Sequence, residues 1–182
     1  LERYGSDLEV VTSEEIRNNV YVDAQQALQM KVPGLFVATR GGPFSYMDIS
    51  LQGSRTQDML LLVDGVRINN RLYATTMSDT LPASMIERIE VLRDGASSVY
   101  GTDAVAGVVN YVMQRSFRGT ELSLRYAQTD QSDGQEFRAT LTHGLGFAKG
   151  KGRAMITADY YRRAPIYTRD RAFSADADHS NL

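Results

Sequence analysis

The sequence predicts an α+β domain followed by long antiparallel β-strands, and three observations lead there. Up to Arg118, short apolar stretches alternate irregularly with helix-start signals; beyond it, apolar residues recur with a clean period of two. The 182 residues are 42% hydrophobic and 23% charged, enough for a folded core. With 15 Gly and 4 Pro, neither a disordered nor a collagen-like chain fits.

The elements follow in order. Residues 8–11 read as a strand, and Thr12 with Glu15 three positions on is a capping box opening a brief helix. Asp23 with Gln26 repeats that signal; Ala24, Ala27 and Leu28 then share a helical face until Pro33-Gly34 stops the helix. Residues 36–38, 48–52, 59–63 and 66–68 read as strands, the last two joined through Asp64-Gly65, a dipeptide suited to a type I′ turn. Leu81-Pro82 opens a helical turn that feeds a strand at 87–93. Asp94-Gly95 and a stretch rich in small residues from 96 to 107 follow, with Gly95, Ala96, Ser97, Ser98, Gly101, Ala104, Ala106 and Gly107 allowing close backbone approach, and residues 108–113 close the domain as a strand.

Past Arg118 the dyad takes over. Leu122, Leu124 and Tyr126 oppose Glu121, Ser123 and Arg125; Phe137, Ala139, Leu141, Leu145 and Phe147 oppose Arg138, Thr140, Thr142, Gly144 and Gly146. A third strand sets Ala154, Ile156, Ala158 and Tyr160 against Thr157, Asp159 and Tyr161. Such alternation suits a soluble sheet with one face on a core and the wall of a membrane barrel equally well.

Charge and composition exclude several classes. Twenty basic residues against 22 acidic give a net charge of −2, and the 17 Arg and 3 Lys are scattered, so no nucleic-acid footprint is present. Zero Cys excludes disulfides and thiolate chemistry. No apolar run approaches the roughly 18 residues a spanning helix needs, which leaves a barrel open. The chain starts at Leu1 without Met or a signal-like segment and reads as an excerpt or a mature fragment.

Four ordered segments carry a resemblance. They are Asp48-Ile-Ser-Leu-Gln-Gly-Ser-Arg55, Leu60-Leu-Leu-Val-Asp-Gly-Val-Arg67, Ile86-Glu-Arg-Ile-Glu-Val-Leu-Arg-Asp-Gly-Ala-Ser-Ser-Val-Tyr-Gly101 and Asp103-Ala-Val-Ala-Gly-Val-Val-Asn110. Together they resemble the plug domain of TonB-dependent outer-membrane receptors over roughly residues 7–114. The resemblance implies an α+β plug at 1–115 and, at 116–182, the first antiparallel strands of a transmembrane β-barrel that is incomplete in this chain. Barrels with 22 strands and a plugged lumen are a known architecture, and the 64 residues after Arg118 provide about three staves.

The same resemblance implies a function: active import of a scarce solute such as a siderophore, cobalamin or saccharide across the outer membrane of a Gram-negative bacterium, with the plug in the barrel lumen. The alternative is a truncated plug-like module that binds ligand without transport. The partners implied are TonB, through a segment upstream of Leu1, a small-molecule ligand such as a metal chelate, and outer-membrane lipid; no nucleic acid and no cofactor are implied. Outward plug loops would meet the ligand. On them Arg40 and Arg55 offer planar donors, Gln57 and Asn70 hydrogen-bond either way, and Phe44, Tyr46 and Tyr73 offer stacking faces. Glu87, Arg88 and Arg93 would hold the plug to the wall, although as bare residues Glu87, Arg88, Glu90 and Arg93 fit a solvated strand face equally well. Two departures stand out: Gln52 occupies a position where the family commonly has Arg, and Asp94-Gly95 replaces Gly-Pro.

Catalytic signatures are missing. There is no phosphate-binding Gly-Lys-Ser/Thr loop, no Gly-x-Ser-x-Gly elbow and no zinc-type His pair, so an enzyme is not expected. His143 falls on an apolar strand face, suiting a girdle or structural role; His179 sits in a polar tail where Asp176, Asp178 and Ser180 lack the Gly and distal Glu of a calcium loop.

Overall fold

Strands that are apolar on both sides need cover on both sides. The computed structural model of this chain describes residues 8–18, 24–39, 45–70, 75–76, 80–93, 100–101, 104–147 and 151–171. In it β1 (Leu8–Thr12), β6 (Ile86–Arg93), β7 (Gly107–Met113), β4 (Met59–Val63) and β5 (Val66–Arg67) form one sheet in that spatial order. All neighbours are antiparallel except β4 and β7, which run parallel. One face, with Met59, Leu61, Ile89, Val91, Val109 and Tyr111, packs on α1 (Ser13–Asn18), α2 (Ala24–Lys31) and the ribbon of β2 (Leu35–Thr39) and β3 (Met47–Leu51). On the opposite face Leu60, Leu62, Leu92 and Val108 pack with Ala104, Leu8 and Tyr100. The unbroken apolar run Met-Leu-Leu-Leu-Val of β4 is thereby explained.

Local chemistry sets the boundaries. Thr12 N–H donates to Glu15 Oε2 at 3.0 Å and Glu15 N–H to Thr12 Oγ1 at 3.3 Å, the reciprocal capping box of α1. The Thr12 amide and the Lys31 ammonium, 3.2 Å away, hold the Glu15 carboxyl below its ordinary range. Asp23 of the second capping signal lies outside the described residues. Asp64 and Gly65 take φ values of 48° and 83° between paired Val63 and Val66, as a type I′ turn requires.

Some expected boundaries move. β3 ends at Leu51, because Gln52 enters the left-handed region (φ 52°) to donate its N–H to Gly34 O at 2.7 Å. β5 ends at Arg67, and the helical turn after Pro82 is a single 3-10 turn, Ala83–Met85. Gly95, Ala96, Ser97 and Ser98 lie outside the described residues. Gly107 does permit a close approach, but within the plug's own sheet: a Cβ there would stand 2.7 Å from Leu92 O. The solvated-face reading fails for Glu90, which is 3% exposed on β6.

The second sheet is built from β8 (Gly119–Ala127), β9 (Glu136–Phe147) and β10 (Gly152–Arg163), antiparallel with β9 central. Its register aligns the dyads of all three strands: Leu122 opposes Leu141, Leu124 opposes Ala139, and Ala139 opposes Tyr160. That apolar face is turned away from the plug, leaving Leu124 65% and Ile156 64% exposed. The polar face meets the plug. There Thr142, 1% exposed, donates its hydroxyl to Ser84 Oγ at 2.9 Å.

The apolar face runs from Phe137 to Phe147, roughly 33 Å along the strand at about 3.3 Å per residue. Tilted by about 40–45°, it covers roughly 25 Å, the height of an outer-membrane barrel's apolar band. His143 sits within this band rather than at its rim, its Nδ1 2.8 Å from Thr120 Oγ1.

The connector from β7 to β8 crosses the polar face at Gly144, where a Cβ would stand 2.7 Å from the Phe117 carbonyl carbon and closer still to its oxygen. Gly146, next on that face, has open space around it. Gly144→Val is therefore expected to destabilise the protein by about 1–3 kcal/mol through overpacking, with Gly146→Val near neutral. Heat-modifiable gel mobility of the two variants checks this; equal midpoints would contradict the close approach.

Candidate functional site: plug loops and the plug-wall seam

Among the described residues, the expected ligand-facing side chains sit at the two ends of β3 rather than in a single cluster. Tyr46, 58% exposed, precedes Met47, whose backbone exchanges hydrogen bonds with Thr76 at 2.9 and 3.2 Å. Asn70 N–H donates to Thr75 O at 3.1 Å, which draws Asn70 toward Tyr46. Arg55 and Gln57 lie past the other end of β3, about 13 Å of strand away. Asn69 spans the gap: its Nδ2 donates to Met59 O at 3.0 Å and its Oδ1 accepts Leu61 N–H at 3.3 Å. Arg40, Phe44 and Tyr73 lie outside the described residues.

Asn69 was not singled out by sequence, because an Asn after a strand reads as an exposed turn residue. It is instead buried and braces the start of β4. Arg55 grips Asp58 in a two-pronged pair, Nε to Oδ2 at 3.0 Å and Nη2 to Oδ1 at 2.8 Å, with its side chain 79% exposed. The pair keeps the Asp58 carboxyl below its ordinary range. The guanidinium is thus aimed by a neighbour while its outer edge faces solvent.

The expected wall-holding residues have partners inside the plug. Arg88 reaches Glu87 at 2.9 Å and the buried Glu90 at 2.8 Å. Glu90 in turn accepts Asn110 Nδ2 at 3.2 Å, and Asn110 Oδ1 accepts Gly65 N–H at 3.0 Å, so this network pins the β4–β5 turn. Arg93 pairs with Glu9 on β1, and its Nε is buried with no hydrogen-bond partner among the described residues. The Arg93–Glu9 link was not legible in sequence, since the two residues stand 84 positions apart.

A plug whose sheet is buried on both faces, lying against the polar side of outward-apolar strands, is a specific architecture. Over residues 2–108 the sequence matches the TonB-dependent Receptor Plug Domain family. The chain belongs to that family. Among solved structures it resembles a mutant of the ferric enterobactin receptor of Pseudomonas aeruginosa in complex with enterobactin, with TM-score 0.71 and 19% identity over 92% of this chain and 26% of that one. The siderophore receptor PirA of the same organism matches with TM-score 0.63 and 26% identity, covering 87% of this chain and 29% of the other. The ferric yersiniabactin uptake receptor FyuA of Yersinia pestis matches with TM-score 0.63 and 21% identity, covering 85% and 24%. The chain thus spans about a quarter of the length of these receptors. It is an outer-membrane protein with the plug on the lumen side of a barrel wall. Among the described residues no group of three His, Asp or Glu is arranged to hold a metal ion.

Beyond the apolar band, the loop between β8 and β9 is clamped to the chain after β10. Arg171 donates to Asp133 Oδ1 and to Gln131 Oε1, each at 2.7 Å, while Thr129 also donates to Asp133. First the Arg171 guanidinium, then the Thr129 hydroxyl, lowers the Asp133 carboxyl to about 2. A carboxyl depressed on folding stabilises above its unfolded value, near 3.9, and loses that contribution as pH falls through the folded one. The clamp is therefore expected to hold through mild acid and open only near pH 2. Carboxyl-carbon NMR of Asp133 in the receptor checks this: a midpoint close to 2 that returns toward about 4 in Arg171→Gln is expected, and a midpoint near 4 in the unaltered protein would contradict it.

Proposed function

We propose that this chain supplies the plug, residues 1–115, and the first barrel strands, residues 116–182, of a receptor that imports a scarce solute using energy delivered through TonB. The observation that carries the reading is the orientation of the second sheet: apolar side exposed and away from the plug, hydroxyl-bearing side toward it. Kinship with the plug family supports it, as does likeness to the ferric enterobactin receptor and the siderophore receptor PirA. Those likenesses favour a ferric chelate as the solute. The reading is transport, without catalysis of a covalent step.

In this scheme Arg40, Phe44, Tyr46, Arg55, Gln57, Asn70 and Tyr73 meet the ligand, with the solvent-facing edge of the Arg55 guanidinium and the Tyr46 ring giving a polar chelate donors and a stacking face. Glu87, Arg88 and Arg93 link the plug to wall residues; the buried Nε of Arg93 supports this, since it has a donor to spare beside its pair with Glu9. Import also needs the plug to occupy two states that bind the solute unequally, because a ligand with equal affinity for both shifts nothing. TonB, acting through a segment upstream of Leu1, would drive that exchange.

Two measurements test the scheme. Cells carrying the intact gene should accumulate at least one radiolabelled ferric chelate from a panel, and should stop doing so when either the gene or TonB is deleted; accumulation indifferent to TonB would overturn the proposal. Arg93→Ala should loosen the plug and raise entry of a small antibiotic several-fold, whereas unchanged permeability would remove Arg93 from the wall contacts.

A further inference from the structure

The face of the second sheet turned away from the plug holds one charge, and it stands in the last row. The register sets Leu122, Leu141 and Ala158 side by side midway along that face, and Tyr126, Phe137 and Arg162 side by side at one end. Arg162 is the one Asp, Glu, Lys or Arg that β8, β9 and β10 place on this side. Thr120 and His143, also on it, answer each other at 2.8 Å. The Arg162 side chain is exposed and has neither an ion-pair nor a hydrogen-bond partner among the described residues. Its neighbour Arg163 belongs to the opposite face, where it pairs with Glu136 at 3.0 Å.

Link lengths say which membrane surface this row meets. Residues 128–135 join β8 to β9 at the Arg162 end, whereas the shorter link 148–151 joins β9 to β10 at the other. Outer-membrane barrels keep short turns on the periplasmic side and longer loops outside, so the row lies at the outer leaflet. There the Phe137 and Tyr160 rings stand 6.3 Å apart, tilted by 56°. The Tyr126 hydroxyl donates to Gln128 Oε1 at 3.1 Å, which turns the Gln128 side chain onto the same face and leaves its amide N–H groups as donors. Arg162 and Tyr126 flank Phe137, about 10 Å apart across two strand spacings. The penalty for a cation on a lipid-facing strand fades toward the interface, the depth of lipid phosphates, and the guanidinium fork matches phosphate oxygens. The Phe147–Gly152 row at the opposite end carries no charge.

We propose that Arg162, with Gln128 as a second donor and the Tyr126, Phe137 and Tyr160 rings beneath, docks the phosphate of an outer-leaflet glycolipid whose acyl chains lie along the apolar face. Charge and continuity choose this occupant: an unanswered cation at the edge of an exposed apolar band calls for an anion that carries its own hydrocarbon. The site goes beyond the import reading and needs only that the sheet belong to an outer-membrane wall.

The test uses the intact protein in detergent and two probes, diphosphoryl lipid A and the same lipid stripped of its phosphates, with bound lipid counted by native mass spectrometry. Arg162→Gln should weaken binding of the phosphorylated probe by about 10-fold, as for loss of a charged hydrogen bond. Binding of the stripped probe should change by less than about twofold, and the loss should shrink as salt rises. Arg162→Lys, which keeps the charge but not the fork, should fall between the native protein and Arg162→Gln, and it keeps the test alive if the Gln variant misfolds. Equal affinity of the native protein for the two probes, equal losses for both, or no loss for the phosphorylated one would each overturn the site. So would displacement of the lipid by millimolar inorganic phosphate, which would make this a site for free anions. Self-association that depends on Arg162 while lipid affinity stays unchanged would assign the row to a second copy of the protein and overturn it as well.

Discussion

The inversion of the second sheet is the constraint on which the rest depends. In water, leaving Leu122, Leu124, Leu141, Leu145 and Ile156 uncovered would forgo about 1.5–3 kcal/mol for each side chain. Three strands with that face exposed need an apolar cover, and for an outer-membrane protein lipid supplies it. Lipid on one side obliges the other side to be polar, and a folded domain resting there must present polar groups of its own. Ser84 against Thr142 is that requirement met at one point. The close passage of Phe117 over Gly144 meets it at another, where a missing side chain replaces a polar one.

A domain that borrows no apolar cover from its container has to make its own core. The plug does so by burying both faces of a single sheet, α1, α2 and the β2–β3 ribbon on one side and Ala104 with Tyr100 and Leu8 on the other. The second side is only partly apolar. Toward the β4–β5 turn it carries Glu90 and Asn110, whose mutual hydrogen bond and links to Arg88 and Gly65 satisfy groups that burial would otherwise penalise. Removing either partner would strand a buried charge or amide, so the network fixes how the turn sits on the sheet.

Legibility in the sequence followed the range of each interaction. The Thr12–Glu15 box, the Asp64-Gly65 turn and the dyads of β8, β9 and β10 involve residues a few positions apart, and each was readable from type and spacing alone. Glu90 was not: period two on β6 suggested a wet face, but a central strand covered on both sides ignores that period. Asn69 and the Arg93–Glu9 pair were hidden for the same reason, since their partners come from other strands. The site was legible only as loops. Sequence order put Tyr46, Arg55 and Asn70 on neighbouring stretches, yet β3 separates Tyr46 from Arg55 by its whole length, and the Met47–Thr76 bridge with the Asn70–Thr75 hydrogen bond draws Asn70 toward Tyr46. Arg162 was hidden as one of two adjacent arginines; that it ends the apolar face in one row with Phe137 and Tyr126 requires the register.

The balance of contacts bears on how such a plug could be displaced. Its strong links are internal: Arg93 to Glu9, Arg88 to Glu90, and an apolar core on each face of the sheet. At the described seam with the wall, the hydrogen bond joins two hydroxyls, and water can replace either partner at little net cost, since a neutral hydrogen bond contributes only about 0.5–1.5 kcal/mol. An apolar seam would behave oppositely, because opening it would expose surface that water cannot compensate. A polar joint between a self-sufficient plug and its wall therefore lets the plug shift or rearrange in a wet lumen without first losing its own core. The proposed import cycle makes that mechanical demand, and the same polarity that lipid imposes on the wall supplies it.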